Sequence, residues 1–558
     1  METFPYLSVL TFLPMVGALV ILFIPHISQS TARTVALISA LGSLLVSVLA
    51  FMRFDPNAPF DASGPVPLQE RINWGKEVGA SYFLGVDGIA MLLILLTTLI
   101  SAIAIVWSWD TVNVRTREYY IALLLLETGM LGVFVSLDLF LFYIFWELML
   151  IPMALLIGIW GSSNRVYAAV KFFLYTLFGS LLMLVGIVAT YWSYYQQTGQ
   201  LTLSVLDLQQ GTYGTTFQIW VFLAFFIAFA VKVPLFPFHT WLPDAHVEAP
   251  TAASVILAAV MLKMGGYGFL RFNLPLFEEG THFWQPWVIG LSVIAVIYGA
   301  LVALVQPDMK KLVAYSSVSH MAFVTLAIFV MNIQGMDGAM LVMLAHGFNT
   351  GALFLLIGVI YERAHTRLIA KFSGLAAVIP TWAGMFVLFM FASIGLPGLS
   401  GFAGEFLVAL GTWHFNPVLA AITFSVVIFA AWYMMYMTQR VVWGRPKGVL
   451  PDPHDGALTP TEAALLAAHD HGHGHGHGHA VPSISGASQD HHDDHGHGHG
   501  AESEVPGEER QIWPDLTRKE LLTLLPLVVL TIYVGVYPQS VLNICEPALQ
   551  RILDMVVR

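Results

Sequence analysis

Tracts of roughly twenty apolar residues recur along almost the entire chain, and no other sequence feature limits the fold as severely. Each tract is long enough to cross a ~30 Å hydrocarbon core as a helix. Fourteen are drawn, near residues 6–24, 32–52, 82–107, 118–136, 138–160, 168–193, 216–238, 250–272, 284–305, 311–330, 337–360, 377–411, 417–438 and 520–540. A bilayer leaves no water for unpaired backbone groups, and these tracts are too long and evenly apolar for barrel strands, so they are read as helices. The first lacks a basic flank and a cleavage motif and is read as a retained span.

Composition supports this reading. Of 558 residues, 57% are hydrophobic and 11% charged, with mean hydropathy +0.74, whereas soluble domains carry about 25% charged residues. The formal charge of −11 comes largely from loops. A basic nucleic-acid face is absent. The one cysteine, Cys545, excludes an intramolecular disulfide framework and any multi-cysteine metal or iron–sulfur site.

Lysine and arginine set the expected orientation. Connections after odd-numbered spans hold sixteen, including Arg33, Arg115, Lys171, Lys310, Arg367, Lys447 and Arg518, against six in the even connections and C-terminal tail: Arg53, Arg71, Lys76, Arg271, Arg551 and Arg558. The odd side is therefore expected to be cytoplasmic, with both termini outside. Lys232 and Lys263 fall inside spans and belong to neither count.

Two spans carry breaks. The seventh contains Val231-Lys232-Val233-Pro234-Leu235-Phe236-Pro237, and the twelfth Gly395-Leu396-Pro397-Gly398-Leu399-Ser400-Gly401. Proline removes a helical hydrogen bond, and broken helices five spans apart fit the transporter pattern of internal repeats with a site near the breaks. The expected fold is an all-α polytopic membrane protein of about fourteen transmembrane helices, with two inverted five-helix repeats, each containing a broken helix. The expected parts are three N-terminal spans (1–110), a first repeat of spans 4–8 (111–280), a second of spans 9–13 (281–440), a cytoplasmic His-rich loop (441–517) and a last span with its tail (518–558).

Ionisable groups at membrane depth are functional candidates by default. In chain order they are Glu147, Lys232, Lys263, His320, His346 and Glu405. The series suits proton movement, because a buried lysine releases its proton more readily and a nearby carboxylate restores it, while histidine relays in either direction. The alternative is a set of structural ion pairs. His239, Asp244, His246 and Glu248 follow the first break and are read either as a proton entrance or as a hydrated loop. Asp138 is positioned to cap the fifth span, and Trp107, Trp109, Trp160 and Trp192 to anchor span ends at the interface. The Gly/His alternation of His469–His499 binds soft metals loosely and is expected to be dispensable for assembly and pumping; no fixed metal site is expected.

The stretch from Phe229 through Lys232 and Trp241-Leu-Pro-Asp-Ala-His246-Val-Glu-Ala-Pro-Thr251 resembles the signature of the antiporter-like membrane subunits of respiratory complex I (NADH:quinone oxidoreductase). Leu262-Lys263-Met-Gly-Gly-Tyr-Gly268, Lys310-Lys-Leu-Val-Ala-Tyr-Ser-Ser-Val-Ser-His320 and Ala345-His346-Gly-Phe-Asn349 match as well. Glu405, after Leu-Pro-Gly-Leu-Ser-Gly-Phe-Ala-Gly404, is similar to the M type, since L- and N-type relatives usually carry lysine there. The resemblance covers roughly residues 80–440, with the His-rich insert outside it.

It implies a proton-translocating subunit of the bacterial inner membrane, coupled to quinone reduction, with L-type and N-type subunits as neighbours. It implies Glu147 as modulating acid, Lys232 as its switching partner, Lys263 as central relay and Glu405 near the outward exit. No cofactor is expected on this chain, since the resemblance places NADH, flavin, iron–sulfur clusters and quinone on partner subunits. The rival readings are a subunit of a Na⁺/H⁺ antiporter or of a membrane-bound hydrogenase. A zinc transporter would need His/Asp ligand pairs inside its spans, which are not found.

Overall fold

The computed structural model describes residues 4–60, 68–75, 77–444 and 513–557. The His-rich loop and the basic residues Lys76, Arg445, Lys447, Arg510 and Arg558 lie outside the described residues.

Thirteen helices among the described residues are long and apolar enough to cross a membrane. They account for every expected span but the twelfth, which consists of two shorter helices, Pro380–Ser393 and Ser400–Phe415, on either side of the Gly395-Leu396-Pro397-Gly398 segment. Spans are numbered below in chain order. Spans 8 (Thr251–Leu276) and 11 (Ile333–Ala364) are buried along their most apolar stretches, and span 10 (Met309–Phe329) nearly so. Spans 1 (Tyr6–Phe23), 2 (Gln29–Phe51), 6 (Arg165–Thr198), 13 (Pro417–Val442) and 14 (Arg518–Val536) each leave more than half of theirs accessible, as helices facing lipid do. Three ionisable residues of the series, Lys263, His320 and His346, sit on the three inner helices. That follows from the high cost of a polar group facing hydrocarbon.

Short polar side chains start several spans by accepting hydrogen bonds from the first free backbone N–H groups. Asp138 caps span 5 (Leu139–Trp160), accepting from Phe140 and Leu141 at 3.0 and 3.2 Å, and its second oxygen holds Ser81 N–H at 2.9 Å. Asp308 does the same for span 10. Thr517 and Glu520 form a reciprocal capping box at the start of span 14.

Several boundaries differ from expectation. Span 3 begins at Gly88, because residues before it form an antiparallel hairpin, Glu70–Gly75 with Ala80–Leu84. The tail after span 14 is itself a helix, Gln539–Val556. It packs on spans 3 and 11, and the backbone carbonyl of Val556 meets His282 Nε2 at 2.8 Å. Trp107 is 4% exposed and belongs to the core rather than to an interface belt. Arg271 does not lie in an outer connection. It is buried in span 8, paired with the equally buried Asp87, and its Nε donates to Tyr267 Oη at 3.2 Å. Arg271 falls at the end of the drawn tract 250–272 and is counted there with the connection, whereas span 8 continues past it to Leu276.

Candidate functional site

The first break starts one residue after Lys232. Span 7 runs as a helix from Thr215 to Lys232 and resumes from Trp241 to Glu248. Pro234 and Pro237 have no N–H to continue the ladder, so Leu235 N–H bonds Ala230 O at 2.9 Å in place of the regular Val231 O. The Trp241 indole then donates to that freed Val231 carbonyl at 2.9 Å. Lys232 is 1% exposed and its Nζ has no hydrogen-bond partner. The ammonium faces aromatic rings instead, 5.3 Å from the centre of Trp146 and 5.7 Å from that of Phe172, a favourable placement for a cation.

Glu147, one residue beyond Trp146, lies beside the Tyr143 and Ser180 hydroxyls and within electrostatic reach of Lys232. One of its carboxylate oxygens has no partner. The acid and the base are neighbours without a direct ion pair. A small movement of either side chain changes how strongly the carboxylate holds the lysine's proton, since attraction between unit charges varies inversely with distance.

The residues after the break are not a hydrated loop. His239, His246 and Glu248 are 2%, 0% and 7% exposed, because the second half-helix turns inward against spans 6 and 10. Of the four polar residues singled out in this segment, only Asp244 reaches a partly exposed position, bonded to Lys171 Nζ at 2.7 Å. His246 stacks on Phe354 with ring centres 4.6 Å apart, and neither ring nitrogen has a partner. Beside this segment lies a cavity of about 270 Å³ lined by Glu248, Lys310, Glu362 and Arg367, among others. Lys310 is 5% exposed and donates to Ala249 O at 2.6 Å. The sequence reading placed Lys310 at the cytoplasmic surface, because it follows a connection rather than interrupting a span.

At the centre, Lys263 is fully buried, with Nζ 2.7 Å from His346 Nδ1 and 2.6 Å from Ala258 O. That carbonyl is available because the backbone widens into a π turn over Leu257–Met261. Leu262 N–H bonds Leu257 O rather than Ala258 O, and the lysine takes the place of the missing donor. Single π turns inside α-helices often mark functional positions. Gly347 lets span 11 come close here, since a Cβ on it would lie 3.2 Å from Ala259 O.

From His346 the row continues to His320, ring centres 6.0 Å apart, and from His320 Nδ1 to Glu405 Oε1 at 3.5 Å. Glu405 sits against the second break. Gly395 has φ +75°, and a Cβ on it would lie 2.6 Å from Glu405 Oε2, so glycine there serves both the turn and the carboxylate.

Four of the six expected residues, Lys263, His346, His320 and Glu405, thus form one row, with a gap between the two imidazoles that no hydrogen bond closes among the described residues, while Glu147 and Lys232 form a separate pair. No hydrogen bond joins Lys232 to Lys263 among the described residues. Their helices nevertheless touch, because Gly265 abuts the break and a Cβ on it would lie 2.7 Å from Phe229 O. The sequence reading passed over Glu127, which is fully buried in span 4 (Thr116–Val135) with both carboxylate oxygens unpartnered. The same rule that selected Glu147 would have found it.

Residues 136–430 match the family described as NADH:quinone oxidoreductase/Mrp antiporter, TM. The chain is 50% identical over 450 residues to NADH-quinone oxidoreductase subunit M of Rhodobacter capsulatus, covering 78% of this chain and 86% of the relative. Among solved structures, a chain of respiratory complex I from Thermus thermophilus with bound NADH superposes with TM-score 0.78 at 29% identity over 99% of both chains. A chain of the Mrp complex from a Dietzia species matches in fold at TM-score 0.72 and 20% identity, covering 99% of this chain and 96% of that one.

Proposed function

The chain belongs to the NADH:quinone oxidoreductase/Mrp antiporter family and, within it, to the M-type (chain 4) membrane subunits of complex I, and from that premise we propose that its buried Glu–Lys–His row carries protons across the bilayer, coupled to quinone reduction on other subunits. The single observation that carries this reading is the row Lys263–His346–His320–Glu405, in which Lys263 Nζ lies 2.7 Å from His346 Nδ1, the two imidazole ring centres 6.0 Å apart and His320 Nδ1 3.5 Å from Glu405 Oε1. Each member can take up and release a proton, and the run is set on the inner helices of the bundle.

The wide cavity beside Glu248 and Lys310 serves as the entrance from the cytoplasm, with His246 between it and Lys263. Lys232 controls loading. When Glu147 approaches, the charged lysine is stabilised. When Glu147 withdraws, Lys232 gives up its charge, and repulsion on Lys263 through the low-dielectric interior falls. The proton on Lys263 passes to His346 and His320 and leaves outward from Glu405. The breaks in spans 7 and 12, with the same skip of the ladder at a leucine N–H, support the reading of spans 4–8 and 9–13 as two repeats (111–280 and 281–440). The residues here hold the proton at named atoms, and the redox chemistry belongs to partner subunits that carry NADH, flavin, iron–sulfur clusters and quinone. Both termini face outside the bacterial inner membrane, which puts the His-rich loop in the cytoplasm.

Glu405 separates this reading from a Na⁺/H⁺ antiporter subunit, in whose relatives lysine is usual at that place. Purification of the intact complex through a tag on this chain tests the assembly. L-type and N-type antiporter-like subunits and an NADH-oxidising arm are expected to copurify. Recovery with cation-antiporter subunits alone, and without NADH oxidation, would contradict it.

A further inference from the structure

The two breaks use the same backbone device but are closed differently. In the second, Leu396 N–H bonds Phe391 O at 3.0 Å, which frees the Ala392 carbonyl as Val231 is freed in the first. An unpaired carbonyl at membrane depth must find a donor. Val231 is served from within its own span by Trp241. Ala392 is served from outside, by Asn349 Nδ2 of span 11 at 3.2 Å.

The same Asn349 side chain holds the other half of the break and one more helix. Its Oδ1 accepts from Ser400 Oγ at 3.3 Å, at the first turn of the second half-helix. It also accepts from Thr531 Oγ1 of span 14 at 3.0 Å. Every polar atom of the asparagine side chain is engaged, and the residue is 3% exposed. It stands three residues after His346 and lines, with His320, His346 and Glu405, a small cavity of about 20 Å³. Gly401 completes the seat, because a Cβ on it would run into the Ala392 carbonyl.

We infer that Asn349 is the positioning residue that holds the second break in the shape presenting Glu405 to His320, and that Thr531 makes span 14 part of that device. Span 14 is then a working component of the exit and not an anchor alone. One asparagine ties together the two halves of the broken helix, the histidine helix and the last span. A shift of span 14 is thereby felt at the carboxylate. The inference rests on reading Glu405 as the exit group, and the test separates the two.

Asn349→Leu keeps the number and branching of the side-chain heavy atoms and removes both the donor and the acceptor. Thr531→Val keeps the shape of threonine without the hydroxyl, and Thr531→Ser keeps the hydroxyl without the methyl. The measurement is NADH-driven proton uptake by vesicles containing the intact complex, normalised to assembled complex, with Glu405→Gln as the reference. Asn349→Leu is expected to lower uptake about tenfold, equivalent to ~1.4 kcal/mol. Thr531→Val is expected to lower it about threefold, in keeping with one lost hydrogen bond, while Thr531→Ser stays at the wild-type level. A packing role alone would give the reverse order, with valine tolerated and serine impaired, and would overturn the inference. If Asn349→Leu does not assemble, the Thr531 pair decides on the same terms. Wild-type uptake in Asn349→Leu beside a loss in Glu405→Gln overturns the inference and leaves the exit reading standing. Wild-type uptake in Glu405→Gln overturns the exit reading itself and this inference with it.

Discussion

Replacing Lys232 by alanine in the assembled complex is expected to remove most NADH-driven proton uptake, and Glu147→Ala is expected to do nearly the same. Glu147→Ala leaves the buried Lys232 without its neighbouring carboxylate, and Lys232→Ala leaves the half-buried Glu147 without its cation. For pairs in direct buried contact such a loss costs about 3–5 kcal/mol, an upper figure for two groups that lie apart. In rate terms, even ~3 kcal/mol on a transfer barrier is a slowing of about a hundredfold. The surroundings of Lys232 sharpen the prediction. Its ammonium has no hydrogen-bond acceptor and only the faces of Trp146 and Phe172 around it. With Glu147 gone, those rings are the main groups left to stabilise the cation, and an aromatic face supplies only ~2 kcal/mol or more when desolvated. Glu147→Asp keeps the charge with a shorter reach and should retain part of the uptake. Uptake at the wild-type level in assembled Lys232→Ala would remove this residue from the mechanism.

Glu405→Lys is expected to impair pumping although paralogues carry lysine at the corresponding place. A carboxyl is neutral when loaded and anionic when empty, whereas lysine is cationic when loaded and neutral when empty. The substitution therefore adds one positive charge in either state. His320 Nδ1, 3.5 Å from the present carboxylate, meets that charge first. At ~4 Å and an effective dielectric near 20, the repulsion between two unit charges is about 4 kcal/mol, larger than the ~2.3 kcal/mol of moving one charge through 100 mV of membrane potential. A protonated His320 is then too costly, and the proton stops at His346. Lysine is also longer than glutamate and must find room where the carboxylate already lies against Gly395. Proton uptake per electron pair in vesicles is expected to fall clearly below wild type. An unchanged ratio would mean that Glu405 is not tuned to this row.

Much of this was legible in the sequence, and for identifiable reasons. A helix that crosses lipid needs about twenty apolar residues, so the spans announce themselves, and proline or glycine within them marks Lys232 and Gly395–Gly401 as breaks. Charges inside such tracts stand out for the same reason. The parts that were missed depend on contacts that no local pattern reveals. His246 and Glu248 look like loop residues because they follow an apolar window, yet the half-helix after the break folds back into the bundle and buries them. The π turn that frees Ala258 O for Lys263 contains no proline or glycine. Arg271 was counted as a surface charge because its partner Asp87 lies 184 residues earlier in the chain. Asn349 showed only as part of a motif, since its partners Ala392, Ser400 and Thr531 come from two other spans.

If protons pass through this chain by way of Lys263, the route runs through an Nζ that meets both Ala258 O and His346 Nδ1. Lys263→Met is the simplest perturbation, because methionine fills the space of the lysine stem without a group that can carry a proton. The deciding measurement is NADH-driven proton uptake per electron pair in sealed vesicles holding the assembled Lys263→Met complex, beside wild type at equal complex content. A marked fall in protons taken up is expected, with the complex intact. Wild-type stoichiometry in that variant would contradict this route.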